Sequence, residues 1–339
     1  MMSEKTVQTI KDIARLANVS KSTVSRALND SPLISQETKD RIQAIAQEHN
    51  FRINAPARNL SLRQSHTIAF VIPDHKPGVF SPENQFLFEV LGGIGNGLRD
   101  LGYDLLMVHV NPHDTAWMHT YFDSARVDGF ILMTERRKDA HIKKLLELGI
   151  PFITWGVPLP DYNYCTVTGD NLTGGRLATN YLLQIGRQKI AFLGGPESDM
   201  SVQQRFKGYE NALQTAGRSL DSNLVLHGSD YSYNSGITVM QRLLASEPNL
   251  DAVFASSDLM ALGVLKVIKD MGKQVPEDIA LVGYDDVSIA SYNTLPLTTI
   301  KQNISLAGKL LAQNLIQYIQ TGIVTNVSTP VELVIRESA

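Results

Sequence analysis

Between positions 20 and 29 the chain reads Ser-Lys-Ser-Thr-Val-Ser-Arg-Ala-Leu-Asn. Wound as a helix, this segment puts Val24, Ala27 and Leu28 on one apolar stripe and leaves the rest as polar reach. The polar types are those that grip a duplex. Ser20, Thr23, Ser25 and Asn29 suit phosphate contacts, which favour hydroxyl and amide groups near helix N-termini. Lys21, Ser22 and Arg26 suit base edges, where Arg offers a two-pronged match to guanine. The plain alternative is an ordinary three-helix bundle with a solvated face.

A second group of reactive types is scattered through the larger part of the chain, each at the carboxyl end of an apolar run. Asp74 and His75, Thr134 and Glu135, Trp155, Asp170, Tyr231, Ser257 with Asp258, and Asp285 with Asp286 all sit so, and Arg205 lies near a helix start. In open parallel sheets ligands bind beyond those ends. Carboxylates, one Arg and flat rings suit a small polyol, since charged groups satisfy several hydroxyls and rings cover a sugar's apolar face. For any single Asp the alternative is a helix cap.

The elements that must position these residues are legible in outline. Thr9 followed by Asp12 suggests a capping box, ahead of apolar spacing through Ile10, Ile13, Ala14, Leu16 and Ala17. Asn18 tolerates a left-handed turn, Ser20 caps the second helix, and Ser35 caps a third in which Ile42, Ile45 and Ala46 face inward. Helix, short turn, helix and a packing helix is the helix-turn-helix plan. From His66 onward, short apolar runs such as IAFVIP (68–73), GFILM (129–133), KIAFLGG (189–195) and IALVGYDD (279–286) alternate with amphipathic stretches. That rhythm means parallel sheets covered by helices, and its length suggests two lobes.

The 339 residues, 43% hydrophobic and 19% charged, exclude a disordered chain, and their length suggests about two domains. No apolar run is long enough to span a bilayer, and the N-terminus lacks a secretory pattern. One cysteine, Cys165, leaves no disulfide framework and reads as a strand residue. A cytoplasmic location is the expectation. The net charge of −3 conceals a basic head, ten Lys/Arg against six Asp/Glu in residues 1–66, on an acidic body. A polyanion is the partner such a head suits. Enzyme motifs are missing: GGIGNG (92–97) has the wrong spacing for a nucleotide loop and falls in a helical stretch, the eight His show no metal-binding spacing, and no nucleophile elbow occurs. No enzyme activity, cofactor or metal is expected.

The segment TIKDIARLANVSKSTVSRALNDSPLISQETKDRI closely resembles the DNA-binding head of the LacI/GalR family of bacterial transcription regulators. FRINAPARNL resembles that family's hinge, with departures at Ile53 and Pro56. The resemblance implies that Asn54, Ala57, Arg58 and Leu60 act in the minor groove, with Leu60 wedged into the central base step, an insertion that bends the duplex. GDNLTGGRLATNYLLQIGRQKIAFLGGP, SVQQRFKGYENAL, AVFASSDLMALGVLKVIKDMG, IALVGYDD and LTTIKQNISLAG resemble the family's effector-binding body, which is similar to periplasmic sugar-binding proteins. By resemblance, Asp170, Arg205, Tyr231, Ser257 and Asp285 hold the effector, with Asp74 and Trp155 added by strand end. Ser257 departs from the family's common Asn.

The resemblance therefore implies an α/β chain with a three-helix head over 1–52, a hinge over 53–66 and a two-lobed body over 67–339. Its first lobe is expected over about 67–164 and 297–324, its second over about 165–296 and 325–339. The expected protein is a repressor of carbohydrate-utilisation genes that binds a pseudopalindromic operator on double-stranded DNA, controlled by a sugar-like effector and independent of membranes. Thr9, Ser20, Lys21, Ser22, Thr23, Ser25, Arg26 and Asn29 form the head's expected DNA-contact set. The absence of a Leu heptad tail before Ala339 implies a homodimer. Two alternatives stay open: a nucleobase corepressor on the same architecture, and a sugar-binding protein with a nonfunctional head.

Overall fold

The computed structural model describes residues 9–51, 64–73, 84–111, 114–133 and 140–339. The hinge candidates Asn54, Ala57, Arg58 and Leu60, together with Asp74, His75, Thr134 and Glu135, lie outside the described residues. The chain divides into two compact units, Met1–Ser65 and His66–Ala339.

Among the described residues of the first unit, three helices are set by their caps. α1 (Ile10–Leu16) starts with a capping box in which the Thr9 hydroxyl accepts from the Asp12 N–H and the Asp12 carboxylate accepts from the Thr9 N–H. Asn18 turns the chain at φ +51°, the left-handed conformation that Asn tolerates best among side-chain residues. α2 (Lys21–Leu28) and α3 (Gln36–Glu48) begin at Ser20 and Ser35, whose hydroxyls accept the Thr23 and Thr38 N–H. Ile13, Ala14, Ala17, Val24, Ala27, Ile42 and Ala46 form the small core. Leu16, one of the residues that supply the apolar spacing of α1, is exposed.

The second unit holds two six-stranded sheets. The first contains β1 (Thr67–Pro73), β2 (Asp104–Val110), β3 (Gly129–Met133), β4 (Phe152–Trp155), β5 (Cys165–Gly169) and β11 (Asn326–Thr329), in the order β11-β5-β4-β3-β1-β2 and parallel throughout. The second contains β6 (Ile190–Gly194), β7 (Val225–His227), β8 (Ala252–Ala255), β9 (Ala280–Asp285), β10 (Thr298–Gln302) and β12 (Val331–Val334), in the order β12-β10-β9-β8-β6-β7, with β12 alone antiparallel. The central strands are fully buried, which is why they read as continuous apolar runs such as Ala-Phe-Leu and Ala-Val-Phe-Ala.

Helices α4 (Gln85–Asp100), α5 (Ala116–Phe122), α6 (Ala140–Leu148) and α12 (Ile304–Thr321) accompany the first sheet. α7 (Asn171–Gln184), α8 (Met200–Thr215), α9 (Tyr233–Ser246) and α10 (Asp258–Asp270) cover the second. A short α11 (Ser288–Tyr292) follows β9. The glycine-rich 92–97 stretch lies inside α4, where Gly93 and Gly97 face α12.

Sheet membership corrects the expected lobe boundaries. The 165–169 strand, expected in the second lobe, pairs with β4 in the first sheet, and the 298–302 strand, expected in the first, pairs with β9 in the second. Strand 326–329, also outside the expected first lobe, pairs with β5. A strand's apolar pattern states that both faces are covered but not which sheet does the pairing. The chain thus crosses between sheets at Asp170, Asn303 and Pro330. Two crossings are tied together, since the Asp170 N–H donates to the Thr329 carbonyl at 3.0 Å.

Candidate functional sites in head and body

In the head, α2 is anchored by Val24 and Ala27 and turns its other side outward. Lys21, Ser22 and Arg26 are exposed, while Thr23, Ser25 and Asn29 are half-buried. The Ser20 hydroxyl is committed to its helix: it accepts the Thr23 N–H at 3.1 Å and bonds Ser22 Oγ at 2.7 Å. Thr9 is committed likewise to α1. One positioning residue escaped the sequence reading. Lys39, only 7% exposed, donates to the Asp30 carboxylate at 2.6 Å, where Asp30 turns the chain at φ +55° after α2. A buried Lys needs such a partner, and the pair fixes the loop that leads from α2 into α3.

In the body, one polar cluster spans the strand ends of the second sheet. Arg205, on the second turn of α8, is 5% exposed. Its Nε donates to Asn171 Oδ1 at 2.8 Å, Nη1 donates to the Ser256 carbonyl, and the guanidinium lies 3.7 Å over the Tyr284 ring. Asp285 ends β9 with φ +112°, and Asp286 follows at +59°. Consecutive positive angles at residues other than glycine store backbone strain, which gathers at ligand sites. The Gln302 amide donates to Asp285 Oδ1 at 2.7 Å. Burial pushes the Asp285 carboxyl up to about 6, against the opposing pull of Arg205 and Gln302. Complete burial, with Asp285's charge, also pushes the Asp258 carboxyl well above the usual carboxylate range, although Thr299 Oγ1 donates to it at 2.6 Å. Asp199 is also raised by burial, opposed by the N–H groups of Ser201 and Val202 and by the Tyr231 hydroxyl.

The structure brings Arg205, Tyr231 and Asp285 into this cluster. Ser257 adjoins it: its hydroxyl donates to the Tyr231 carbonyl and accepts the Met260 N–H as the cap of α10. Asp170 caps α7 by accepting the Thr173 N–H at 3.0 Å, and its charge acts on Tyr284. Trp155 ends β4 in the first sheet, packed on Phe86 with centroids 5.8 Å apart. Asp199, Asn171, Tyr284 and Gln302 were missed. The only available signal was their position at strand and helix ends, which most polar residues there share. The first lobe also reaches across: Gln85 Oε1 accepts the Ile289 N–H at 2.9 Å, and Glu89 accepts that of Ser288. Among the described residues no group of three or more His, Cys, Asp or Glu could hold a metal ion, and no helix is long and apolar enough to cross a membrane.

A second helix that presents a cation, a hydroxyl and an arginine from a firm three-helix base is built to read a duplex. A buried polar cluster across the ends of a parallel sheet is built to bind a small molecule. Together they define a ligand-responsive, DNA-binding regulator. Residues 9–54 match the bacterial regulatory proteins of the lacI family, and residues 65–337 match the periplasmic binding proteins and sugar binding domain of that family. The chain belongs to the LacI family, whose members are transcription regulators rather than enzymes. It is 34% identical to the HTH-type transcriptional regulator CelR of Thermobifida fusca, over 98% of this chain and 97% of the relative. It is 33% identical to the ribose operon repressor of Escherichia coli K12, over 92% of this chain and 93% of that protein. Among solved structures, a CelR–cellobiose complex matches with a TM-score of 0.76 and 32% identity, over 98% of this chain and 99% of the other. The lac repressor dimer bound to operator and the anti-inducer ONPF matches at 0.81 and 28%, over 97% and 98%.

Proposed function

We propose that this DNA-binding regulator acts in the cytoplasm as a homodimeric repressor of carbohydrate-utilisation genes. Each head reads one half of a pseudopalindromic operator, and a sugar bound against the Arg205–Asp285 cluster changes operator affinity. The observation that carries the reading is the outward face of α2, where Lys21, Ser22 and Arg26 are exposed while the helix's other side is locked into the head's core. Twofold symmetry in the protein calls for the same symmetry in the site. Trp155, Asp170, Tyr231 and Ser257 are the further proposed effector contacts, together with Asp74, the residue that follows Pro73 in sequence. In the hinge, Asn54, Ala57 and Arg58 flank Leu60 as the minor-groove wedge.

Selection from random duplexes at low ionic strength tests this reading. The expected product is a pseudopalindrome bound with strong salt dependence. On that duplex Arg26→Ala is expected to cost about 1–3 kcal/mol and to relax one base position in each half. Equal loss on selected and scrambled DNA removes Arg26 from base reading, and failure to enrich any palindrome defeats the proposal.

A further inference from the structure

Charge distinguishes this cluster from a neutral polar pocket. Three carboxylates are buried in it: Asp199 at 3% exposure, Asp285 at 8% and Asp258 at 0%. Among the described residues one buried cation faces them, Arg205, and its hydrogen bonds go to neutral acceptors, Asn171 Oδ1 and the Ser256 carbonyl, with an aromatic face beneath. Asp199 and Asp285 act on it through space. Even with Asp258 carrying a proton, the described residues set the carboxylates of Asp199 and Asp285 against the single guanidinium of Arg205. The first lobe adds to the imbalance, because Glu89 raises Asp285 across the cleft, while Asp286 is already paired with Arg336 at 2.6 Å.

Resting on the sugar reading above, we propose that the effector is an uncharged, hydroxyl-rich sugar and that this wall excludes the anionic forms of the same sugars, uronates and sugar phosphates. Asp285 spends one oxygen on Gln302 and keeps acceptor positions for hydroxyl donors, of which a neutral sugar has many. An added carboxylate or phosphate gives up donors and brings a charge of the wrong sign into a poorly screened site, where like charges are strongly disfavoured.

Thermal shift of the full chain at pH 7.5 and fixed ionic strength tests this with matched pairs: glucose against glucuronate and glucose 6-phosphate, galactose against galacturonate, ribose against ribose 5-phosphate. Cellobiose and adenine complete the panel. The expected result is stabilisation by a neutral sugar, with its anionic partner needing at least about tenfold more for the same shift. Asp199→Asn removes one charge and keeps a capping acceptor for α8, so it is expected to narrow that ratio. A uronate or phosphate acting at equal or lower concentration overturns the inference and leaves the sugar-responsive regulator standing. An unchanged ratio in Asp199→Asn overturns it as well. Stabilisation by adenine alone, or by no member, overturns both.

Discussion

Asp285 bears two costs at once, a left-handed backbone at φ +112° and a carboxylate held away from water. The unfolded chain releases this proton near the ordinary value of 3.8, the folded chain only at about 6. Between these the folded state binds more protons, so the group's contribution to stability falls as pH rises, and the full penalty is present above pH 6. Asp285→Asn is therefore expected to raise the body's melting temperature at pH 7.5, by the equivalent of about 2–3 kcal/mol at most, while weakening effector binding. The gain should shrink as pH falls toward 4. Melting both proteins across pH checks this, and a difference that does not vary with pH removes the ionised carboxylate as its cause. The same residue shows what a sequence discloses at this scale. Arg205 and Asp285, which the fold brings together in the buried cluster, were legible as candidates because a cation beside a helix start and an acid after a strand stand at the carboxyl ends of a parallel sheet. Ser20, Thr9, Asp170 and Ser257 stand in equally suggestive places, and their side chains cap helices. Capping and ligand binding draw on the same acceptor types at the same chain positions, so type and place alone do not separate them.

At the scale of elements, three helix pairs meet through reciprocal glycines. Added Cβ atoms at Gly93 and Gly308 would collide with the facing backbones of α12 and α4, those at Gly175 and Gly208 with α8 and α7, and those at Gly236 and Gly263 with α10 and α9. Mid-helix glycine costs roughly 0.5–1 kcal/mol against alanine, a cost offset here by close approach of the axes. The α7–α8 crossing also matters for the site, because the backbone that Gly175 touches is Arg205's own. Gly175→Ala and Gly208→Ala are each expected to destabilise by about 1–3 kcal/mol through overpacking. Their double variant should cost less than the sum, since one separation of the helices relieves both collisions. Denaturant unfolding of the four proteins measures the coupling, and strict additivity rules out a shared crossing. Helix existence was legible from apolar spacing and caps, and most strands from their apolar runs. β11, Asn-Val-Ser-Thr, was not, because a partly exposed edge strand carries too few apolar residues to declare itself. The partner sheet of β5 and β10 was not legible either, since pairing is settled by distant chain that a local pattern does not contain.

For the whole molecule the consequence lies in the three crossings at Asp170, Asn303 and Pro330. Both neighbours of the cluster, Asp170 and Gln302, sit at the points where the chain changes sheets, and Gln302 joins the β10 crossing to Asp285. Its Oε1 is buried without a hydrogen-bond partner among the described residues and packs on Gly169, the last residue of β5. A group left unsatisfied at a junction favours whichever lobe arrangement supplies its donor, and rotation about a few such connecting residues is how hinged lobes close. Under the proposed effector contact at Asp285, binding is linked to lobe arrangement through Gln302, and in the proposed dimer lobe arrangement is linked to operator affinity. Linkage is reciprocal, so saturating operator must change effector affinity by the factor with which effector changes operator affinity, about 5–150-fold for couplings of this kind. Calorimetric titration of the effector into full-length protein with and without operator, and into residues 66–339 alone, measures both ends. The isolated body should match the DNA-free protein, and the operator complex should differ by the reciprocal factor. Effector affinity indifferent to operator would disconnect the cleft from the head and leave two independent binding proteins on one chain.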